Sequence, residues 1–284
     1  LNILETHIVP PLETPIRLQD YAVGIFQTAS TKSAIKKAIK KELVLVNDVL
    51  ATTAQFIYGN EEIVLLEDVS KHKHFDLDLK VIFEDDYLAI INKPAGVQVS
   101  GNSFATIDNA LTQNLQPSSQ NDAVKPKPVH RLDYPTSGIL LIGKTSSSIQ
   151  QLSKLFENKE IQKTYYAITI GKMERQGEIS FPVDEKEALS EFQVLQTLNS
   201  ERFYFLNLVK LSPKTGRRHQ LRKHLSAIGN PILGDKEYGR EPLILKGKGL
   251  YLHASQLEFI HPFTKEEMII TSALPKKFLK IFSQ

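Results

Sequence analysis

Residues 129–145 read VHRLDYPTSGILLIGKT. The turn-forming series Pro135-Thr136-Ser137-Gly138 leads into an apolar run, Ile139 to Ile142, which is how a buried strand is usually entered. Just ahead of the turn stand His130, Arg131 and Asp133. A carboxylate at the mouth of a central strand has two readings. It is a local cap, bonded through Ser137 or paired with Arg131, or it is a base or nucleophile kept ionised by an arginine facing it. The residues alone favour the local reading.

Working outward, "SSSIQQLSKLFENKEI" predicts a capped amphipathic helix with Ile149, Leu152, Leu155 and Phe156 inward. "KTYYAITIG", "FYFLNLVKL" and "LYLHASQLEFIHP" read as strands, and a helix is predicted from about Arg218 to Gly229. Upstream, Val81 to Phe83 and Leu88 to Ile91 flank an acidic turn and predict a hairpin, while residues 112–128 read as a polar loop. Strands outnumber helices at irregular spacing. The fold class expected is α+β, a mixed and mostly antiparallel sheet flanked by helices, rather than a doubly wound parallel sheet.

A second, smaller α/β unit is expected at residues 14–68, a linker at 69–77, and the larger domain at 78–284. Residues 1–14 read as an extended lead-in. In the small unit Ile35, Ala38, Ile39 and Leu43 recur at helical spacing, with Thr31 or Ser33 as cap. "LVLVNDVLA" reads as two strands about an Asn47-Asp48 turn, and "IVLLE" as a third strand. His72 and His74 in the linker make a weak metal pair and are read as exposed.

The 284 residues suffice for two domains, and 41% hydrophobic with 24% charged residues is ordinary for a globular chain. There is no cysteine, which excludes disulfides, thiolate metal sites and a cysteine nucleophile and fits a reducing compartment. No apolar run approaches the ~18 residues of a membrane span, and no secretory signal opens the chain. A cytoplasmic location is expected. The chain starts on Leu1, read as a sign that its true N-terminus is missing.

Net charge is only +3, with a pI near 8.8, but the cations are clustered. Lys32, Lys36, Lys37, Lys40 and Lys41 form one group; Lys210, Lys214, Arg217, Arg218, Arg222 and Lys223 form another. Either alone is a solvated face; together they suggest phosphate neutralisation. His219 and His224 are off one helical face, and no H-E-x-x-H, Walker loop, Rossmann glycine fingerprint or G-x-S-x-G elbow is present. What remains is the carboxylate, the arginines and a few tyrosines.

Several motifs then fall into a known order. "HRLDYPTSGILLIGKT" resembles the H-R-L-D signature of the RluA-type pseudouridine synthases. "VIFEDDYLAIINKPAGVQV", "KTYYAITIG", "LSPKTGRRHQLRKHLSAIGNPILGDKEYG" and "LHASQLEFIHPFT" are similar to the family's remaining elements, from about residue 78 to residue 275. "FPVDEKEALSEFQVL" departs from it, as a shorter connection with Ala188-Leu189-Ser190 where Ala-x-Thr is common. The lysine-rich unit resembles the αL RNA-binding domain of ribosomal small-subunit proteins.

The resemblance implies an enzyme that isomerises uridine in RNA to pseudouridine without cofactor or metal. It implies Asp133 as catalytic aspartate, Tyr165 as active-site tyrosine beneath the uracil, and Arg222 as partner of the aspartate, with Leu221 lining the pocket. Arg131 would help hold the nucleotide out of its stack, a step costing a few kcal/mol. Whether Asp133 attacks sugar or base stays open. Lys32, Lys36, Lys37, Lys40, Lys41, Arg217 and Arg218 are the RNA-binding candidates. The expected partner is large-subunit ribosomal RNA, then transfer RNA, and the expected state a monomer. A non-catalytic RNA-binding or ribosome-assembly protein is the competing class.

Overall fold

Alternation of apolar and polar residues along short β-branched runs builds most of this molecule as sheet. The structure, a computed structural model, describes residues 2–67 and 75–282, which fall into two compact units dividing inside the undescribed stretch. His72, His74 and residues 69–74 of the expected linker lie outside the described residues.

The first unit runs β1 (Ile3–Ile8), β2 (Ile16–Arg17), α1 (Leu18–Tyr21), α2 (Lys32–Lys40), β3 (Val44–Val46), β4 (Val49–Leu50), β5 (Phe56–Ile57) and β6 (Glu62–Leu66). Its main sheet has the order β1-β6-β3-β4, so the stretch read as a lead-in contains an edge strand, antiparallel to β6. Unpaired amides next to β6 recruit it; the prolines that suggested a lead-in lie beyond its end. Thr31 caps α2 by accepting from the Ala34 amide, and Ile35 and Ile39 bury themselves beside Val44, Val46 and Ile63. Asn47 and Asp48 both take positive φ, 48° and 63°, the two-residue turn that matches strand twist.

The second unit runs β7 (Lys80–Glu84), β8 (Leu88–Lys93), α3 (Ile107–Asn114), β9 (Ala123–Pro128), β10 (Ser137–Thr145), α4 (Ser146–Glu157), β11 (Gln162–Ile170), β12 (Gln176–Ile179), β13 (Ser190–Ser200), β14 (Tyr204–Pro213), α5 (Gln220–Ala227), β15 (Leu252–Ile260), β16 (Glu267–Thr271) and α6 (Lys276–Phe282). The sheet order is β12-β13-β14-β11-β15-β10-β8-β7, with β9 on β10 and β16 on β15. This is the mixed, mostly antiparallel α+β architecture expected. The parallel exception is β10 against β15.

Three further segments differ from their sequence reading. Residues 112–128 are not all loop: they include the end of α3 and β9, whose lysines and prolines suit a solvent-facing strand. "SEFQVL" opens β13, an eleven-residue strand whose polar alternation is that of a sheet with one wet face. Residues 75–77, placed in the linker, pack on the second unit: Phe75 and Leu77 meet its core, and the Asn114 amide donates to the Leu77 carbonyl at 2.8 Å.

The central strand is buried on both faces. Leu140 and Ile142 pack toward α3 with Ala89 and Ile91, whereas Ile139 and Leu141 pack toward α4 with Leu88, Ile90 and Leu152. The turn into β10 needs its glycine. Gly138 has φ 120°, and a Cβ there would lie 2.1 Å from the Ala254 carbonyl oxygen of the parallel neighbour. Among the described residues no helix is long and apolar enough to cross a membrane.

Candidate active site

The loop from Val129 to Thr136 is pinned from three sides. The His130 Nε2 accepts from the Leu141 amide at 3.0 Å and its ring lies 4.6 Å from that of Phe156. Burial, aided by the Lys163 charge, pushes this imidazole down to about 3, so it stays neutral. The Thr136 amide closes a turn onto the Asp133 carbonyl at 3.0 Å, and the Gly96 amide holds the Tyr134 carbonyl at 2.8 Å. Beneath the loop, the fully buried Lys93 ammonium donates to the carbonyls of Pro94 (2.9 Å), Thr136 (2.8 Å) and Tyr134 (3.4 Å). Burial lowers the Lys93 pKa to about 8, opposed in part by the negative charge of Asp133.

The local reading of the carboxylate fails. Ser137 Oγ is engaged by His253 Nδ1 at 2.9 Å, and Arg131 is exposed, with no salt bridge among the described residues. Asp133 instead faces groups remote in sequence. Arg222 Nη1 lies 3.7 Å from Oδ2, and His219 Nε2 lies 3.8 Å from Oδ1. Tyr165 arrives by strand register: it pairs with Ala254 of β15, which pairs with Gly138 of β10. Its phenol is held above the usual tyrosine range by burial and then by the Asp133 charge.

The firmest bonds of Arg222 are not to Asp133. Nε donates to Asp235 Oδ2 at 2.7 Å and Nη2 to Oδ1 at 2.8 Å, a bidentate pair with both side chains buried. Nη2 also reaches Glu237 at 3.1 Å, and the guanidinium lies over the Tyr238 ring at 4.8 Å. Burial works against the Arg222 charge, but the Asp235 hydrogen bond and charge more than offset it and raise its pKa. Arg222 is thus a clamped cation presenting its third nitrogen to Asp133. Asp235 follows Gly234, whose φ is 80° and where a Cβ would lie 2.0 Å from the Gly249 carbonyl.

Two cavities, about 720 and 700 Å³, meet at this point. Arg131, Leu132, Asp133, Arg218, His219 and Arg222 line both; Tyr165, Leu221 and Arg217 line the second. The helix α5 carrying Arg222 starts at Gln220, two residues later than read, because His219 sits in the left-handed region at φ 55°. The other histidine weighed beside it is structural: His224 is buried between Ser190 Oγ (3.0 Å) and the Phe181 carbonyl (2.9 Å). Lys32, Lys36, Lys37 and Lys40 stand on the exposed side of α2 in the first unit, with Lys41 exposed at its C-cap, and Lys32 pairs with Asp20. The sequence pattern missed Lys93, His219, Asp235 and Glu237 as site residues; the motif segments contained all four, with no spacing rule to single them out.

These features have counterparts in known proteins. A family model described as RNA pseudouridylate synthase matches residues 87–227. The ribosomal large subunit pseudouridine synthase D of Nitrosomonas europaea is 32% identical, over 94% of this chain and 83% of its own. The chain belongs to the RluA-type RNA pseudouridine synthases. Another relative, the tRNA pseudouridine synthase C of Vibrio vulnificus, is 31% identical, over 72% of this synthase and 95% of its own length. The solved structure of human RNA pseudouridylate synthase domain containing 1 shares the fold, with a TM-score of 0.58 at 23% identity over 69% of this synthase and 83% of that chain.

Proposed function

We propose that this synthase converts uridine to pseudouridine in large-subunit ribosomal RNA, with Asp133 acting at the glycosidic bond. The observation that carries the chemistry is the buried, doubly anchored Arg222 held 3.7 Å from the Asp133 carboxylate in a cavity that also holds Tyr165. A fixed cation holds the carboxylate in one geometry and needs no reorganisation during the reaction. A cavity of this size accommodates one extruded nucleotide. Exposed Arg131, at the rim of both cavities, is placed to fill the space that the base leaves. Tyr165, whose phenol resists ionisation, supplies a flat face for the uracil and a hydrogen-bond donor.

The ribosomal target is favoured by coverage. The large-subunit relative aligns along 94% of this chain, whereas the transfer-RNA relative aligns along 72% although 95% of its own length is used. The unmatched share is about the size of the first unit, whose exposed Lys36, Lys37 and Lys40 on α2 suit RNA phosphates. We assign that unit as an αL-type RNA-binding domain.

The test is a pseudouridine map of ribosomal and transfer RNA from cells lacking the gene, complemented with wild type or Asp133→Asn. One or more large-subunit sites should vanish in the deletion, return with wild type and stay absent with the variant, which still binds RNA. Return of the sites with Asp133→Asn would sink the catalytic assignment, and loss confined to transfer RNA would move the target.

A further inference from the structure

His219 sits inside a family motif segment but is given no role by it or by the chemistry above, yet it lines both cavities. It holds a left-handed backbone at φ 55°, ψ 23°, which side-chain-bearing residues adopt only at a cost and which recurs at functional positions. That twist turns the ring back over the cavity instead of along α5.

The contacts of the ring indicate which nitrogen carries the proton. Glu237 Oε1 lies 3.4 Å and the Tyr238 hydroxyl oxygen 2.9 Å from His219 Nδ1. A carboxylate only accepts, so the nitrogen on that side is the one suited to donate. Neutral His219 therefore bears its proton on Nδ1 and leaves the Nε2 lone pair free. Nε2 lies 3.8 Å from Asp133 Oδ1. On the far side of the ring, the exposed Glu237 connects Nδ1 to solvent. The charged and titratable groups around the ring are Asp133, Asp184, Glu237, Tyr238, Arg218 and Arg222.

We propose that His219 Nε2, paired with Asp133, is the acceptor of the proton that uracil C5 must shed. The reaction breaks the C1′–N1 bond and forms a C1′–C5 bond, with no net oxidation. After reattachment C5 holds both its hydrogen and the sugar, so a proton leaves C5 while the C–H electron pair returns to the ring. N1 takes a proton from water. His219 receives the C5 proton, and the resulting imidazolium passes its Nδ1 proton to solvent by way of the adjoining Tyr238 hydroxyl and Glu237 carboxylate. This inference rests on the synthase chemistry proposed above and adds a second group to it.

The experiment uses full-length enzyme and two probes, transcribed large-subunit ribosomal RNA and a transcribed transfer-RNA pool, each made with hydrogen or deuterium at uridine C5. His219→Gln keeps the size and polarity of the ring but cannot take a proton. It should turn over about 10²-fold slower with KM for RNA nearly unchanged. A deuterium effect close to unity in wild type should rise above about twofold, because deprotonation becomes limiting. Tyr238→Phe leaves the His219 ring in place and removes the hydroxyl 2.9 Å from Nδ1, so that only the longer 3.4 Å contact to Glu237 remains; the same isotope effect should emerge with about a tenfold loss. This second variant carries the test if His219→Gln melts early. Unchanged turnover, or a slower reaction whose isotope effect stays at unity in both variants, overturns the proposal. Conversion of the transfer-RNA probe alone overturns the ribosomal target and leaves the His219 result standing.

Discussion

Removing Asp235 isolates the most heavily built interaction of the site. Asp235→Ala deletes both short bonds to Arg222 and leaves a guanidinium that is only 4% exposed. Breaking a buried ion pair from one side costs about 3–5 kcal/mol, since the remaining charge stays desolvated. Here Glu237 at 3.1 Å and Asp133 at 3.7 Å still offer partial compensation, which puts the loss near the lower end, about 3 kcal/mol. For a domain of this size that corresponds to a melting point lower by about 6–12 °C. The Asp235 pKa is depressed: burial opposes the charge, and Arg222 with the backbone amides of Tyr238 and Glu237 more than reverses that. The stabilisation is therefore complete above the unfolded value of 3.8 and fades as pH falls through the lower folded value, so the measurement belongs at pH 7. Circular dichroism gives the melt, and single-turnover pseudouridine formation gives the rate. The rate should fall about 10²-fold as Arg222 loses its fixed aim. The double change Asp235→Leu with Arg222→Met should recover most of the stability and none of the activity. A single variant that melts within ~2 °C of wild type and turns over normally would refute the clamp.

Three further outcomes follow from the geometry. His130 and His253 titrate near 3 and 4 when folded, mainly through burial, against 6.5 unfolded; the unfolded chain thus binds more protons between these values, and stability should decline from pH 6.5 toward 4 by up to about 1.4 kcal/mol per pH unit for each. A urea midpoint flat across that window would contradict it. Gly138→Ala places a methyl 2.1 Å from the Ala254 carbonyl at φ 120°, so the second unit should lose more than about 3 kcal/mol or fail to fold, read by urea melts; a loss under ~1 kcal/mol would mean that the seam yields. Replacing Lys36, Lys37, Lys40 and Lys41 by Gln should flatten the log–log salt dependence of RNA binding by about 0.7 for each phosphate released, while activity on a short substrate persists; an unchanged slope would remove α2 from the RNA interface.

Elements with a period were legible in the sequence. The β10 run, the β7–β8 hairpin, α2 and α4 advertise themselves by spacing and caps. Segments whose state depends on a neighbour did not: β1 and β9 pair with β6 and β10, and prolines just beyond β1 and within β9 masked them. The site divides in the same way. Asp133, Tyr165 and Arg222 stood out through ordered motifs. The bidentate role of Asp235 and the ring orientation of His219 are set by a left-handed residue and a close backbone approach at Gly234, and neither leaves a periodic trace.

The parallel seam between β10 and β15 has a consequence for synthesis. Ser137 and His253 are separated by 116 positions, and their pairing is what brings Asp133 alongside Tyr165. While the chain is being made, the HRLD loop exists long before its neighbour strand does. Contacts of such long range form late, because closing the intervening loop must precede any gain from the pairing. A nascent synthase therefore carries an exposed aspartate but no assembled centre until β15 has left the ribosome. The modifying activity switches on only in a finished molecule, and fragments truncated before Ala254 should be inert toward the RNA that surrounds them during translation.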